Sequence, residues 1–169
     1  MAAKLLIWLA ILARTLFGFD DSVLAAEAVP YTNDLRADAR AAAQNRQPLL
    51  LFITLEGCPF CARVRGEYLG PMSKDPEQNR RALIRELPIE ATVPDFEGQP
   101  RLGRDIAAGL NIKMYPTVVL LDATGKLLAE PLVGFTSPDF YGAYLDERID
   151  TAREKVNQGQ GQSKTRGPK

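Results

Sequence analysis

Cys58 and Cys61 are the only cysteines in the sequence, and Pro59 and Phe60 separate them. A thiolate attacks a disulfide sulfur to form a mixed disulfide, which a second nearby thiolate can then displace. The spacing therefore predicts reversible thiol–disulfide exchange. Two alternative interpretations remain open, namely an inert local disulfide and a metal or cluster site that draws further ligands from elsewhere.

The segments on either side of these cysteines indicate how they are positioned. Residues 48–54 form a continuously apolar run, which is typical of a strand buried on both faces. Pro59 suits the first turn of a helix, where a missing amide proton does no harm. Cys58 would then lie at the amino end of that helix, where the helix dipole lowers the thiol pKa. Cys61 would lie one turn later on the same side, so Cys58 is predicted to attack and Cys61 to resolve.

The composition excludes several other chemistries. The 169 residues contain no histidine, which removes the Ser-His-Asp triad, the Cys-His nucleophile pair and histidine-based metal or haem sites. Lys+Arg and Asp+Glu both number 21, so the balance gives no reason to expect nucleic-acid binding. We therefore predict no metal site, no cofactor and no nucleic-acid partner.

The amino terminus has the pattern of a secretory signal. Lys4 precedes nine apolar residues at 5–13, and small residues follow up to Ala28. A membrane-spanning helix needs roughly 20 apolar residues, more than this run supplies. We predict a signal peptide at 1–28, a domain at 29–156 and a disordered tail at 157–169. The alternatives are an amino-terminal helix of the fold and an uncleaved anchor at 5–19.

The chain after residue 28 alternates between helical and extended patterns. Helices are predicted at about 33–46, 59–68, 102–110 and from Ser137 onward, and strands at 48–54, 82–92, 117–122 and 126–133. A turn-rich loop is predicted at 93–100. The inner side of the last helix is predicted to carry Phe140, Tyr144, Leu145 and Ile149. The fold class is therefore α/β, with a mixed central β-sheet flanked by helices on both faces.

Three motifs, in order, carry a resemblance to a known family. They are Phe52-Ile-Thr-Leu-Glu-Gly-Cys-Pro-Phe-Cys61, Met114-Tyr-Pro-Thr117 and Leu132-Val-Gly-Phe135. The sequence resembles the thioredoxin superfamily, and within it the exported, periplasmic thiol–disulfide oxidoreductases of bacteria. The resemblance implies a thioredoxin fold, a periplasmic location and a role in cell redox homeostasis.

The resemblance also implies a substrate-binding region. Tyr115-Pro116-Thr117 is similar to the loop in which the family places a cis-proline beside the two cysteines. In the family, the backbone before that proline pairs with an incoming peptide like an added strand. Tyr115, Pro116, Thr117 and Phe60 are therefore expected to contact substrate. The alternatives are a trans-proline that opens the strand, a Tyr115 packed in the core and a Phe60 that caps the core.

The sequence departs from reducing thioredoxins at two points. Those proteins carry a buried aspartate six residues before the first cysteine, where this sequence has Phe52. Glu56 is a candidate substitute for proton transfer, and an ordinary surface charge is the alternative. The intervening pair Pro59-Phe60 is closest to the Pro-Tyr of glutaredoxins and does not fix the direction of exchange.

The predicted function is thiol–disulfide exchange with protein partners through Cys58 and Cys61. The predicted partners are protein thiol or disulfide substrates and a partner that recycles the redox state of the two cysteines. The protein is predicted to be a monomer. Its membrane contact is predicted to be limited to the signal segment before cleavage. The alternative hypothesis is a thioredoxin-fold binding module or metallochaperone without redox turnover. Copper-delivering members of the superfamily add a histidine ligand, which this sequence lacks.

Overall fold

A computed structural model describes residues 29–165. The predicted signal peptide and the last four residues lie outside the described residues. The elements, in chain order, are α1 (Leu35–Gln44), β1 (Leu49–Thr54), α2 (Pro59–Val64), a π-helical segment (Arg65–Leu69), α3 (Gly70–Lys74), α4 (Pro76–Asn79), β2 (Leu83–Pro88), β3 (Thr92–Pro94), β4 (Pro100–Leu102), α5 (Gly103–Gly109), β5 (Thr117–Leu121), β6 (Leu132–Val133) and α6 (Pro138–Thr165).

The central sheet has four strands in the order β2-β1-β5-β6. β1 pairs with β2 in parallel, whereas the β1–β5 and β5–β6 pairs are antiparallel. A bridge between Tyr31 and Glu86 adds the segment before α1 to the outer side of β2. The mixed sheet confirms the predicted fold class.

The strand before the cysteines lies at the centre of the core. All six residues of β1 are buried, because helices cover both faces of the sheet. Alternate side chains point to opposite faces, so Leu50 and Phe52 join the apolar cluster that contains Cys61. Leu51 and Ile53 join the opposite cluster, which packs against α1 and α5.

The region between β2 and β5 differs from its prediction. The expected loop at 93–100 contains the hairpin β3–β4, and the expected helix at 102–110 is limited to α5. The carboxylate of Asp95 accepts hydrogen bonds from the backbone N–H of Glu97 and Gln99, at 3.0 and 2.8 Å. These bonds lower the pKa of Asp95 and close the turn of the hairpin.

The last helix presents a different face to the core from the predicted one. Tyr141, Leu145 and Ile149 are buried at four-residue spacing. Phe140 and Tyr144 were predicted to face inward, but their exposed fractions are 62% and 44%. That prediction is wrong because Tyr141 packs against Tyr68, with ring centroids 4.9 Å apart, and this contact sets the rotation of the helix.

The same helix extends into the segment for which a disordered tail was predicted. α6 continues to Thr165, although the sequence predicts the end of the domain at residue 156. Residues 157–159 are exposed, so these three residues add nothing to the core. An existing helix gains residues without a new nucleation step, which explains how it continues past the domain. No helix in the described part of the chain has both the length and the apolar character required to cross a membrane.

Candidate active site

The turn after β1 delivers Cys58 to the start of α2. Gly57 adopts a φ of +68°, a conformation that glycine accepts readily. The N–H of Cys58 donates to the carbonyl oxygen of Leu55 at 3.3 Å. Cys58 is the N-cap residue of α2, and Pro59 occupies the first helical turn as predicted. The end of a buried strand and the start of a helix thus hold the first cysteine in place.

Cys58 and Cys61 form a disulfide, with their Cα atoms 5.2 Å apart. The N–H of Cys61 donates to the Sγ of Cys58 at 3.1 Å. Cys58 is partly exposed, whereas Cys61 is 1% exposed and belongs to the core. Cys58 is therefore the more accessible of the two bonded cysteines.

The loop before β5 lies next to the end of β1, because Ile53 pairs with Thr117. The Tyr115–Pro116 peptide bond is cis, the conformation that the resemblance implies. Tyr115 is partly buried and packs against both core clusters. Thr117 is fully buried, and its hydroxyl donates to the carbonyl oxygen of Met114 at 2.7 Å. The Thr117 side chain is thus engaged inside the protein.

Exposed apolar side chains flank this loop and the disulfide. Phe60 is 53% exposed, so it does not cap the core, and its ring centroid lies 6.5 Å from that of Phe135. Met114 and Val133 are 57% and 46% exposed. The N–H of Gly134 donates to the carbonyl oxygen of Pro116 at 2.7 Å, which joins the residues after β6 to the loop. The sequence analysis missed Met114 and Val133, although both lie inside motifs that it identified.

A pocket of about 610 Å³ opens beside the disulfide on the side of β2. Cys58 lines it together with Glu56, Arg65 and Glu86. Glu56 is exposed, and its backbone N–H donates to the carboxylate of Glu90 at 3.3 Å. Glu86 is 1% exposed, so the buried carboxylate of this region comes from β2. The sequence analysis missed it, because a lone charge in a predicted strand resembles an exposed residue.

Three hydrogen bonds hold the buried carboxylate of Glu86. The hydroxyl of Thr54 donates to its Oε1 at 2.9 Å, and the Nε of Arg65 donates to its Oε2 at 2.9 Å. The Nη2 of Arg65 also donates to Oε1. Donation to Glu86 raises the pKa of Arg65, against the opposing effect of partial burial. The guanidinium therefore stays charged, and the pair is an ion pair at the wall of the pocket.

An aromatic cluster supports the other side of α2. The ring of Phe135 lies 6.1 Å from Tyr68 and 5.0 Å from Tyr141, and the guanidinium of Arg63 lies 4.8 Å from the centre of the Phe135 ring. Burial raises the pKa of Tyr141.

Within the part of the chain that the structure describes, no three His, Cys, Asp or Glu side chains are grouped to bind a metal ion.

Comparisons with known proteins agree with this architecture. The family model for a thioredoxin-like domain matches residues 35–149, which is more than half of the chain. The chain therefore belongs to the thioredoxin-like family, as the resemblance predicted. A thioredoxin-like domain with a disulfide-forming Cys58–Cys61 pair is the class of protein that the fold and the site define. The search of curated proteins finds no match.

Several solved structures have a similar fold. The periplasmic thioredoxin SoxS from Paracoccus pantotrophus is 23% identical with a TM-score of 0.45, over 62% of this chain and 98% of that chain. The C-terminal domain of DsbD from Neisseria meningitidis, in its oxidised form, is 17% identical with a TM-score of 0.45, over 66% of this chain and 90% of that chain. A thioredoxin-like protein from Clostridium perfringens is 18% identical with a TM-score of 0.47, over 78% of this chain and 89% of that chain.

Proposed function

We propose that this protein is a thiol–disulfide oxidoreductase that exchanges disulfides with protein partners through Cys58 and Cys61. The observation that carries the proposal is the unequal exposure of the two bonded cysteines. Cys58 is partly exposed at the start of α2, and Cys61 is buried one turn later. This arrangement supports attack at the outer sulfur and resolution from within.

The exchange proceeds in two balanced steps. The Cys58 thiolate attacks a partner disulfide, forms a mixed disulfide and releases one partner sulfur as a thiolate. The Cys61 thiolate then attacks the Sγ of Cys58, which re-forms the Cys58–Cys61 disulfide and releases the second partner sulfur. The partner gains two electrons and the protein loses two. The reverse sequence oxidises a partner dithiol.

The N–H of Cys61 contributes to the first step. In the disulfide form it donates to the Sγ of Cys58 at 3.1 Å. The same donor stabilises a thiolate on Cys58, because hydrogen bonds to the charged form of a group favour that form. Glu56 is proposed to transfer protons, since it is exposed at the pocket that Cys58 lines.

The partner's polypeptide is proposed to bind between the loop before β5 and the exposed side chain of Phe60. Tyr115, the residue before Pro116, supplies backbone for pairing with an extended segment. Pro116 shapes the loop without pairing itself, because it has no N–H and its carbonyl oxygen already accepts from Gly134. Thr117 contributes by holding the carbonyl oxygen of Met114 in place. Exposed Met114 adds apolar contact, and methionine adapts to partners of different shape.

Thiol exchange and alkylation test this function. The oxidised protein should equilibrate with reduced glutathione and oxidise an accessible protein dithiol, and the reduced protein should reduce an accessible protein disulfide. After reduction, Cys58 should be alkylated first, with a pKa below the free value of about 8.5, because Cys61 is buried. Mass spectrometry of the quenched protein gives the order of modification. Faster alkylation of Cys61, or no exchange, would contradict the proposal.

We also propose that the protein acts outside the cytoplasm, in the periplasm, after removal of residues 1–28. The apolar run after Lys4 and the small residues before Val29 support this. The intact mass of the exported protein should correspond to a chain that begins near Ala26 to Val29. A full-length chain in the membrane fraction would instead indicate an uncleaved anchor.

A further inference from the structure

We propose that Glu86 tunes the redox equilibrium of the Cys58–Cys61 pair by neutralising the Arg65 guanidinium at the wall of the pocket that Cys58 lines. The inference rests on the proposed exchange activity and adds a positioning residue to it. Glu86 acts through Arg65, and the two are joined by two hydrogen bonds. Thr54 fixes the carboxylate from the neighbouring strand.

The position of Arg65 makes its charge relevant to Cys58. The helical run that begins at Pro59 continues through Arg65, the first residue of the π-helical segment. Such segments are frequent at functional sites. Arg65 and Cys58 line the same pocket, and the side chain of Arg65 is 28% exposed. A positive charge there favours a thiolate on Cys58, and the buried carboxylate of Glu86 opposes that effect.

The remaining titratable groups around the pocket are few. They are Tyr31 from the segment before α1, Glu56 from the turn after β1 and Glu90 from the turn after β2. All three are exposed, so water screens them. The Arg65–Glu86 pair is partly or fully buried, and its charges are screened less.

The consequence for the redox equilibrium follows from the thiolate. A group that stabilises the Cys58 thiolate stabilises the reduced protein and makes its disulfide a stronger oxidant. Because Glu86 cancels the charge of Arg65, it keeps the protein less oxidising than Arg65 alone would make it. Removing the carboxylate while leaving the guanidinium should reveal this effect.

The test is the Glu86→Gln variant in equilibrium with glutathione. One protein dithiol and one glutathione disulfide give one protein disulfide and two glutathione thiols. We expect the equilibrium constant for this oxidation to fall about tenfold, which corresponds to about 30 mV. The midpoint of Cys58 alkylation against pH should fall by about one pH unit. The double variant Arg65→Met/Glu86→Gln, which is uncharged at both positions, should return both values to those of the wild type.

The chain offers a matched control on the opposite face of the sheet. Asp38 accepts from the hydroxyl of Thr32 at 2.7 Å and from the Nε of Arg85 at 2.8 Å, so it is also a carboxylate held by a threonine and an arginine. Neither Asp38 nor Arg85 lines the pocket beside Cys58. Asp38→Asn and Glu86→Gln should both lower the thermal midpoint of unfolding, and Asp38→Asn should leave the glutathione equilibrium unchanged.

The outcomes separate the inference from the proposed function. If the wild-type disulfide does not exchange with glutathione, the proposed function fails. If it exchanges but Glu86→Gln behaves like Asp38→Asn, the pair is structural only and the inference fails. A shift that persists in the double variant would assign the effect to packing and overturn the inference. If Glu86→Gln does not fold, the Arg65→Met variant is compared with the double variant instead. These two differ only in the Glu86 carboxylate, so the pH midpoint of Cys58 alkylation should be higher in Arg65→Met.

Discussion

The Cys61→Ser variant is expected to accumulate mixed disulfides between Cys58 and partner proteins. The Cys58 thiolate still attacks, but no buried thiolate remains to displace the partner. We expect the second step of the exchange to be lost, while the first step proceeds. Cys61 is 1% exposed, so the smaller hydroxyl replaces the thiol within the core without removing an exposed contact. Non-reducing electrophoresis followed by mass spectrometry detects the trapped complexes and identifies the partners.

Cys58→Ser is the matched control for this experiment. It carries the same chemical replacement three residues earlier and keeps the buried thiol of Cys61. Because that thiol is shielded, we expect neither mixed disulfides nor turnover from this variant. Equal trapping by both variants would contradict the assigned roles, and trapping by Cys58→Ser alone would reverse them.

Phe52→Ala is expected to lower the free energy of unfolding by about 3–5 kcal/mol, the usual range for deleting a buried aromatic side chain. Phe52 is 0% exposed at the centre of β1, and its ring lies 6.0 Å from the guanidinium of Arg65. The deletion leaves a cavity beneath both the disulfide and the ion pair with Glu86. Denaturant unfolding of the oxidised protein, compared with the wild type at equal pH, measures the loss.

Phe140→Ala provides the control for that measurement. It makes the same change at a phenylalanine that is 62% exposed on α6. Substitutions at exposed positions usually alter stability by about 0.5 kcal/mol or less. If Phe52→Ala lowers the free energy of unfolding no more than Phe140→Ala does, the placement of Phe52 in the core is contradicted.

The features that sequence alone predicts here are those determined by neighbouring residues. The run at 48–53 is apolar at every position and Thr54 closes it, a pattern that indicates a doubly buried strand wherever it pairs. Pro59 and the two cysteines define a helix start and a reactive turn within four residues. The hairpin β3–β4 was predicted only as a turn-rich loop, because short strands depend on pairing more than on composition.

The features that the sequence did not reveal depend on residues far apart in the chain. Glu86 is held by Arg65 and Thr54, which lie 21 and 32 residues earlier. No local pattern marks a carboxylate whose partners come from other elements. The inner face of α6 was mispredicted for the same reason, since adjacent aromatic residues allow two rotations and contact with Tyr68 selects one.

The burial of Cys61 restricts the order in which partners can react. Of the two cysteines only Cys58 is partly exposed, so under the proposed function an electron donor and an electron acceptor are not expected to be covalently bound at once. One must depart before the other attacks. If the proposed function holds, turnover with two partners is expected to follow a double-displacement scheme, in which the protein alternates between two stable forms and the two half-reactions remain kinetically separate.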